Sequence, residues 1–432
     1  MEFAELLMLG VFIFGYLLIT LEHNLRIDKA SPALMIGGLC WAIYMLHSPD
    51  TELVEKQLHE HLSEISGILF FLLSAMTIVE LIDAHDGFTV ITKRIETKSK
   101  RVLLWLVCII TFFLSAALDN LASTIVMVSV LRKLIPEEKD RMLFVSMIVI
   151  SANAGGAWSP IGDVTTTMLW IGGHLSTTNV IKTLIIPSIV ALLVPLSIAS
   201  FYLKGSLDTG KRHIYSDHLM ADTVEIAAFE RRLIFIVGLL ALIAVPFLKT
   251  LVHLPPFMGI TLGLGVVWLL TEVLHKGKPD HEKGYLSVMG VLQKVDVPSV
   301  LFFFGILMAV AALQSIGLLR GLAEFLDGTV SNIYLIGYLL GLLSAIVDNV
   351  PLVAASIGMY DLSQYPMDHP FWEFIAYCAG TGGSTLIIGS AAGVAAMGME
   401  HIRFGWYLKN IAWKALVGYT AGAIVYIAFF VP

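Results

Sequence analysis

Apolar runs of roughly 17 to 25 residues recur along the whole of this 432-residue chain, and that is the length an α-helix needs to cross a bilayer. In lipid every backbone N–H and C=O has to find its partner within the segment, so a chain built of such runs is restricted to helices. Composition agrees: 57% of the residues are hydrophobic and 14% are charged, against about a quarter charged in a soluble domain. The expected fold class is an all-α polytopic membrane protein with almost no soluble part. Ten spanning segments are expected, near 3–21, 30–47, 67–84, 142–171, 183–203, 233–250, 256–274, 299–317, 371–398 and 411–431. The first has no basic stretch before it and no small-residue cleavage site after it, so it reads as a span rather than a signal peptide.

Two further apolar stretches, 102–134 and 332–360, share a six-residue pattern. Ser115-Ala116-Ala117-Leu118-Asp119-Asn120 recurs 229 residues later as Ser344-Ala345-Ile346-Val347-Asp348-Asn349. Each copy is followed about 35 residues on by a glycine-rich break inside another apolar run, Ala154-Gly155-Gly156-Ala157-Trp158-Ser159-Pro160-Ile161-Gly162-Asp163 in one case and Thr381-Gly382-Gly383-Ser384-Thr385-Leu386-Ile387-Ile388-Gly389-Ser390 in the other. Ser63-Glu64 precedes Ile68-Leu69-Phe70-Phe71 just as Val295-Asp296 precedes Val300-Leu301-Phe302-Phe303. The chain reads as a duplication.

The basic residues fix how the copies run. If each SAxxDN segment is a re-entrant hairpin that enters and leaves on one face, 23 of the 27 Lys and Arg fall on one side. The four others are Lys56, Lys182, Lys249 and Arg320. The crowded side is then cytoplasmic and both termini lie outside. Letting each SAxxDN segment cross once erases the bias, and two full crossings fail because the limb 121–134 is too short for the roughly 20 residues required. Five crossings per half is an odd number, so the second half is inverted. The first repeat is expected at 1–203, with hairpin 102–134 and broken helix 142–171. A cytoplasmic linker follows at 204–232, then the second repeat at 233–432, with hairpin 332–360 and broken helix 371–398. Inverted repeats with discontinuous helices are a common plan of secondary transporters, with the site near the midplane between them.

On this plan Asp119-Asn120 and Asp348-Asn349 approach each other from opposite faces. The breaks release backbone carbonyls and helix ends, which suit a hard cation, and Ser159, Asp163, Thr165, Thr166, Ser384, Thr385 and Ser390 add side-chain oxygens. A lone Asp near a helix end is ordinarily a cap, but the recurrence of both tips with matching breaks makes Asp119, Asp163 and Asp348 candidates for function. Carboxylates inside a membrane are costly and mark ion or proton paths. Burial and like charge both favour the protonated form of a carboxylic acid, so one set of acids can exchange a proton for a sodium ion by competition alone. Glu64 and Asp296 occupy equivalent places expected to be helix N-termini, where the macrodipole accounts for them; their recurrence keeps them as accessory acids.

Other chemistries find little support. Cys40, Cys108 and Cys378 lie far apart in apolar segments with no CxxC spacing, as inert buried thiols do. Most of the 13 histidines fall in expected loops and show no metal-ligand spacing. The sequence contains no Walker A, HExxH or GxSxG motif, which argues against ATP as energy source and against a hydrolase. No cofactor, nucleotide or nucleic-acid partner is expected.

The two SAxxDN tips, the run Asn-Ala-Gly-Gly-Ala-Trp-Ser-Pro-Ile-Gly-Asp at 153–163 and Gly-Thr-Gly-Gly-Ser-Thr-Leu-Ile-Ile-Gly-Ser at 380–390 resemble the NhaD-type sodium/proton antiporters of the ion transporter superfamily. The likeness covers nearly the whole chain. It implies electrogenic exchange of cytoplasmic Na⁺ or Li⁺ for external H⁺ in a bacterial cytoplasmic membrane, serving pH homeostasis. It also implies a homodimer in which a scaffold supports a mobile, elevator-like transport unit. Carried across by motif, the resemblance places ion binding on Ser115, Asp119, Asn120, Asn153, Asp163, Thr165, Thr166, Ser344, Asp348, Asn349 and Ser384. Where the family tends to a run of threonines after the first tip, this chain has Leu121-Ala122-Ser123-Thr124. The nearest rival is a sodium-coupled carrier of a small anion or arsenite from the same superfamily. Against the anion stand two tip acids with no Lys or Arg in a tip or break to offset them. A passive cation channel suits paired hairpins and an odd-crossing repeat less well than alternating access.

Overall fold

The computed structural model describes residues 3–20, 27–92, 97, 99–135, 137–203, 205, 226–277, 286–330, 332–346 and 348–431. Most of the expected linker, 204 and 206–225, lies outside the described residues. Among the described residues all regular secondary structure beyond a single isolated bridge position is helical, with seventeen helices of eight residues or more. The chain is a multi-span membrane protein. Eight described helices are long and apolar enough to cross a bilayer.

The first half opens with α1 (Phe3–Thr20), α2 (Ala30–His47) and α3 (Thr51–Ala84). Helix α3 begins well before the expected 67. Its opening stretch holds Glu52, Glu55, Lys56 and Glu60, so it is polar to a hydropathy window but rich in helix formers. Asp50 caps it by accepting a hydrogen bond from the Leu53 N–H at 3.0 Å. At 34 residues and about 1.5 Å per residue the helix outruns the apolar layer. Then come α4 (Lys100–Leu118), α5 (Asn120–Leu134), α6 (Glu138–Ala157), α7 (Val164–Ile171) and α8 (Thr177–Tyr202).

The second half contains α9 (Ala228–Phe247), α10 (Pro256–His275), α11 (Val297–Ser315), α12 (Leu318–Val330), α13 (Ile333–Leu343), α14 (Asn349–Met359), α15 (Pro370–Gly382), α16 (Ala391–Glu400) and α17 (Trp413–Phe430). Helix α12 has no counterpart in the sequence expectations. It carries buried Leu319 and Ala323 beside exposed Leu322 and Phe325, and the chain bends by 116° between it and α13.

The two SAxxDN segments are both helix–tip–helix, yet unequal. The limbs α13 and α14 have 11 residues each, too few to span. Limb α4 has 19 residues and the hydropathy of a span, while α5 has 15. Both expected breaks are present, at 158–163 between α6 and α7 and at 383–390 between α15 and α16.

Small residues seat the long helices on one another, as lipid-embedded packing favours. Helices α2 and α11 cross where Gly37 and Gly305 leave no room for a methyl group against the opposite backbone. Trp41 Nε1 donates to the Met308 carbonyl there at 2.9 Å. Helices α8 and α17 cross at Gly418 and Gly422, which lie against the Ala191 and Pro187 carbonyls. Pro195 lacks the N–H that would bond Ala191 four residues back, so that carbonyl is left to face Gly418. Outward faces keep large apolar side chains exposed, among them Phe201, Leu240, Leu262 and Leu269, as a lipid solvent allows.

Candidate cation-binding site

Helix α4 ends at Leu118 and α5 starts at Asn120, so the first tip is one residue, Asp119, at φ 132° and ψ 168°. Its carboxylate accepts from the Ala122 N–H at 2.7 Å and caps α5. The tip rests on the first break through glycines. A methyl group at Gly155 would overlap the Phe112 carbonyl of α4, and Gly156 and Gly162 close on each other across the break. Ser115 Oγ donates to the Ala152 carbonyl at 2.6 Å, and Ser159 Oγ to the Ala116 carbonyl at 2.6 Å.

The second tip repeats this seating. Gly382 lies against the Gly341 carbonyl, Gly383 against Gly389, and Ser344 Oγ donates to Gly341 at 2.7 Å and faces the Ala379 carbonyl at 3.4 Å. Gly155 thus corresponds to Gly382, Gly162 to Gly389 and Ala152 to Ala379. The same offset sets Asp163 opposite Ser390 and Asn153 opposite Gly380. Asp163 caps α7 and Ser390 caps α16.

A buried polar network joins these parts. Asp163 is 1% exposed. Its Oδ1 accepts from the Thr165 N–H at 2.9 Å and from Thr165 Oγ1 at 2.8 Å, and its Oδ2 accepts from Asn120 Nδ2 at 2.7 Å. Asn120 Nδ2 also reaches Asn153 Oδ1 at 3.0 Å, and Asn153 Nδ2 donates to Ser384 Oγ and Ser390 Oγ, both at 2.9 Å. One tip, the first break and the second break therefore meet in one oxygen-rich cage. Thr166 is fully buried beside it, its hydroxyl donating to the Ala157 carbonyl at 3.3 Å. Gly380 borders the cage, with Asp163 Oδ2 at 3.8 Å from where a methyl would stand. Three more buried hydroxyls, Ser123, Thr124 and Thr385, have no hydrogen-bond partner among the described residues. Such groups are costly without a partner, and oxygens of this kind suit a hard cation.

Asp348 is held differently. Lys29, just before α2, places Nζ 3.0 Å from Asp348 Oδ2 and 4.4 Å from the centre of the Phe302 ring. Asp119 and Asp163 take their hydrogen bonds from neutral donors, whereas Asp348 meets a cation. The tips and breaks themselves carry no Lys or Arg, as expected from the sequence, but Lys29 reaches Asp348 from 319 residues away. Asn349 is buried at the start of α14. Glu64 and Asp296 stand apart and are exposed. Asp296 caps α11 through the Ser299 N–H at 3.1 Å. Glu64, expected at a helix N-terminus, is instead well inside α3 because that helix starts at Thr51.

A multi-span helical bundle with acids, amides and hydroxyls gathered at two helix breaks defines a membrane transporter. The family model described as CitMHS, citrate transporter, matches residues 16–373. Sodium/proton antiporter 1 of Arabidopsis thaliana is 48% identical, over 99% of this chain and 72% of the relative. Sodium/proton antiporter 2 of the same plant is 46% identical, over 96% and 97%. The Na(+)/H(+) antiporter NhaD of Vibrio cholerae is 30% identical, over 96% and 90%. The chain belongs to the citrate transporter family and, with these relatives, to the NhaD-type sodium/proton antiporters.

Proposed function

We propose that the chain exchanges Na⁺ or Li⁺ for H⁺ by letting cation and proton compete for Asp119, Asp163 and Asp348. The observation that carries this reading is the buried network from Asp163 through Asn120 and Asn153 to Ser384 and Ser390. It offers an acid and neutral oxygens and no fixed cation, so a bound Na⁺ or a proton supplies the missing positive charge. Thr165, Thr166, Ser115 and Ser344 line the same tips and breaks, and Ser123, Thr124 and Thr385 are among the buried hydroxyls with no hydrogen-bond partner among the described residues. Lys29 acts as a built-in competitor at Asp348, to be displaced when a sodium ion arrives. Two inverted five-span halves, a cytoplasmic linker, outside termini, a homodimer and elevator-like movement of hairpins and broken helices complete the reading. The matched seating of the two tips on their breaks supports the duplication.

The test uses purified protein in liposomes with a pH-sensitive dye inside and an imposed proton gradient. Sodium or lithium is expected to drive proton movement that Asp163→Asn abolishes, with Asp119→Asn and Asp348→Asn also inactive but folded. Any of these variants exchanging at the wild-type rate sinks the shared-carboxylate mechanism. A second reading, a sodium-coupled anion carrier, is favoured by the family match and by the presence of a cation, Lys29, at a tip. Sodium-dependent uptake of labelled succinate or citrate, with no response to cations alone, selects it.

A further inference from the structure

Far from the cage in sequence, three buried side chains meet at one end of α3, α9 and α10. His85 follows the last residue of α3, Glu230 lies in the first turn of α9 and His275 ends α10. Their exposures are 0%, 6% and 4%. His85 Nε2 is 3.2 Å from His275 Nε2, His275 Nε2 is 2.7 Å from Glu230 Oε1, and His85 Nε2 is 3.8 Å from the same oxygen.

The ring positions show how the nitrogens aim. The ring planes differ by 8° and their centroids are 5.1 Å apart, yet the two Nε2 atoms are only 3.2 Å apart. Parallel rings reach that combination only edge to edge, with the nitrogens turned toward each other. His85 Nδ1 lies 2.7 Å from the Leu81 carbonyl and donates to it. That bond fixes the tautomer and leaves the Nε2 lone pair facing inward, the role outer-shell carbonyls play at metal-bound histidines. A tetrahedral ion held ~2.0–2.1 Å from each ligand sets its ligands ~3.3 Å apart, and the three separations here bracket that value. The arrangement is fixed from outside as well. Arg231 pairs with Asp86 at 3.0 Å, tying the residues next to Glu230 and His85, and Leu81 belongs to an apolar cluster with Val267, Val288 and Val291.

We propose that His85, Glu230 and His275 bind a divalent transition ion of the zinc type, which clamps three spanning helices at one end. Two imidazoles and a carboxylate suit that class of ion rather than Na⁺, which prefers oxygen alone. The site shares no residue with the cage, so its test stands whether or not the exchange reading holds.

The measurement is zinc content and affinity of the full-length protein in detergent, with any affinity tag removed and the sample stripped by a chelator. One zinc per chain and a higher thermal midpoint are expected after reloading. His275→Gln and Glu230→Gln should each weaken binding at least tenfold at unchanged helical content. Cobalt in place of zinc should give the intense visible bands of a tetrahedral histidine site. No stoichiometric zinc, or wild-type affinity in both variants, overturns the proposal. Should a variant fail to fold, the cobalt spectrum of the unaltered chain decides, because weak octahedral bands also overturn it.

Discussion

Asp119 occupies a region of backbone space, φ 132° and ψ 168°, that is ordinarily open to glycine and costs other residues ~1–3 kcal/mol. The chain accepts this at the tip whose neighbour, Asn120, bonds both Asp163 and Asn153. A relaxed tip would carry Asn120 away from both. Lys29 offers the sharpest residue-level prediction. Replacing it by Gln removes the cation from Asp348, so the apparent sodium affinity in the liposome assay should tighten several-fold while the maximal rate falls. Unchanged sodium dependence would remove Lys29 from the mechanism. The acids and glycines of the tips and breaks were legible in sequence because each interrupts an apolar run. Lys29 was not, because nothing in its neighbourhood records a partner 319 residues away. The same holds for His85 and His275, 190 residues apart.

At the scale of elements, what anchors the first hairpin to the second half is a buried acid. Glu400, in the last turn of α16 and 2% exposed, accepts from Arg132 Nε on α5 at 2.6 Å and from Arg141 Nε on α6 at 2.5 Å. The Arg132 guanidinium also bonds the Met399 carbonyl. Removing one member of such a group leaves uncompensated charge, so Glu400→Gln should cost ~2–4 kcal/mol, less than a fully buried pair because Arg132 is partly exposed. Thermal unfolding in detergent measures it, and an unchanged midpoint would show the clamp to be idle. Seven of the ten expected spans coincide with described helices long and apolar enough to cross a bilayer, but hydropathy misjudged helix ends. It missed the polar opening of α3 and the one-sided α12, since both are helices by propensity and packing rather than by uniform apolarity. It set aside two crossings on the shortness of limb 121–134 alone, and the other limb, α4, is long enough to cross.

For the whole molecule, orientation is the expectation most open to a direct check. The three native cysteines are buried and give little background. Cysteines introduced as Ser48→Cys and Lys276→Cys should react with an impermeant thiol reagent from opposite sides of the membrane, Ser48 from outside. Labelling of both from one side would refute the arrangement drawn from the lysines and arginines. The matched pairs Asp163 with Ser390 and Asn153 with Gly380 carry a historical consequence. A half-length ancestor pairing with its own copy would have brought like residues together at its centre, and two aspartates there would repel. On the duplication proposed above, the copies have diverged at these positions, one carrying the acid and amide and the other a hydroxyl and a glycine. On that reading the halves are not interchangeable: two first halves would set Asp163 against its own copy, and two second halves would offer only Ser390 and Gly380 at these positions.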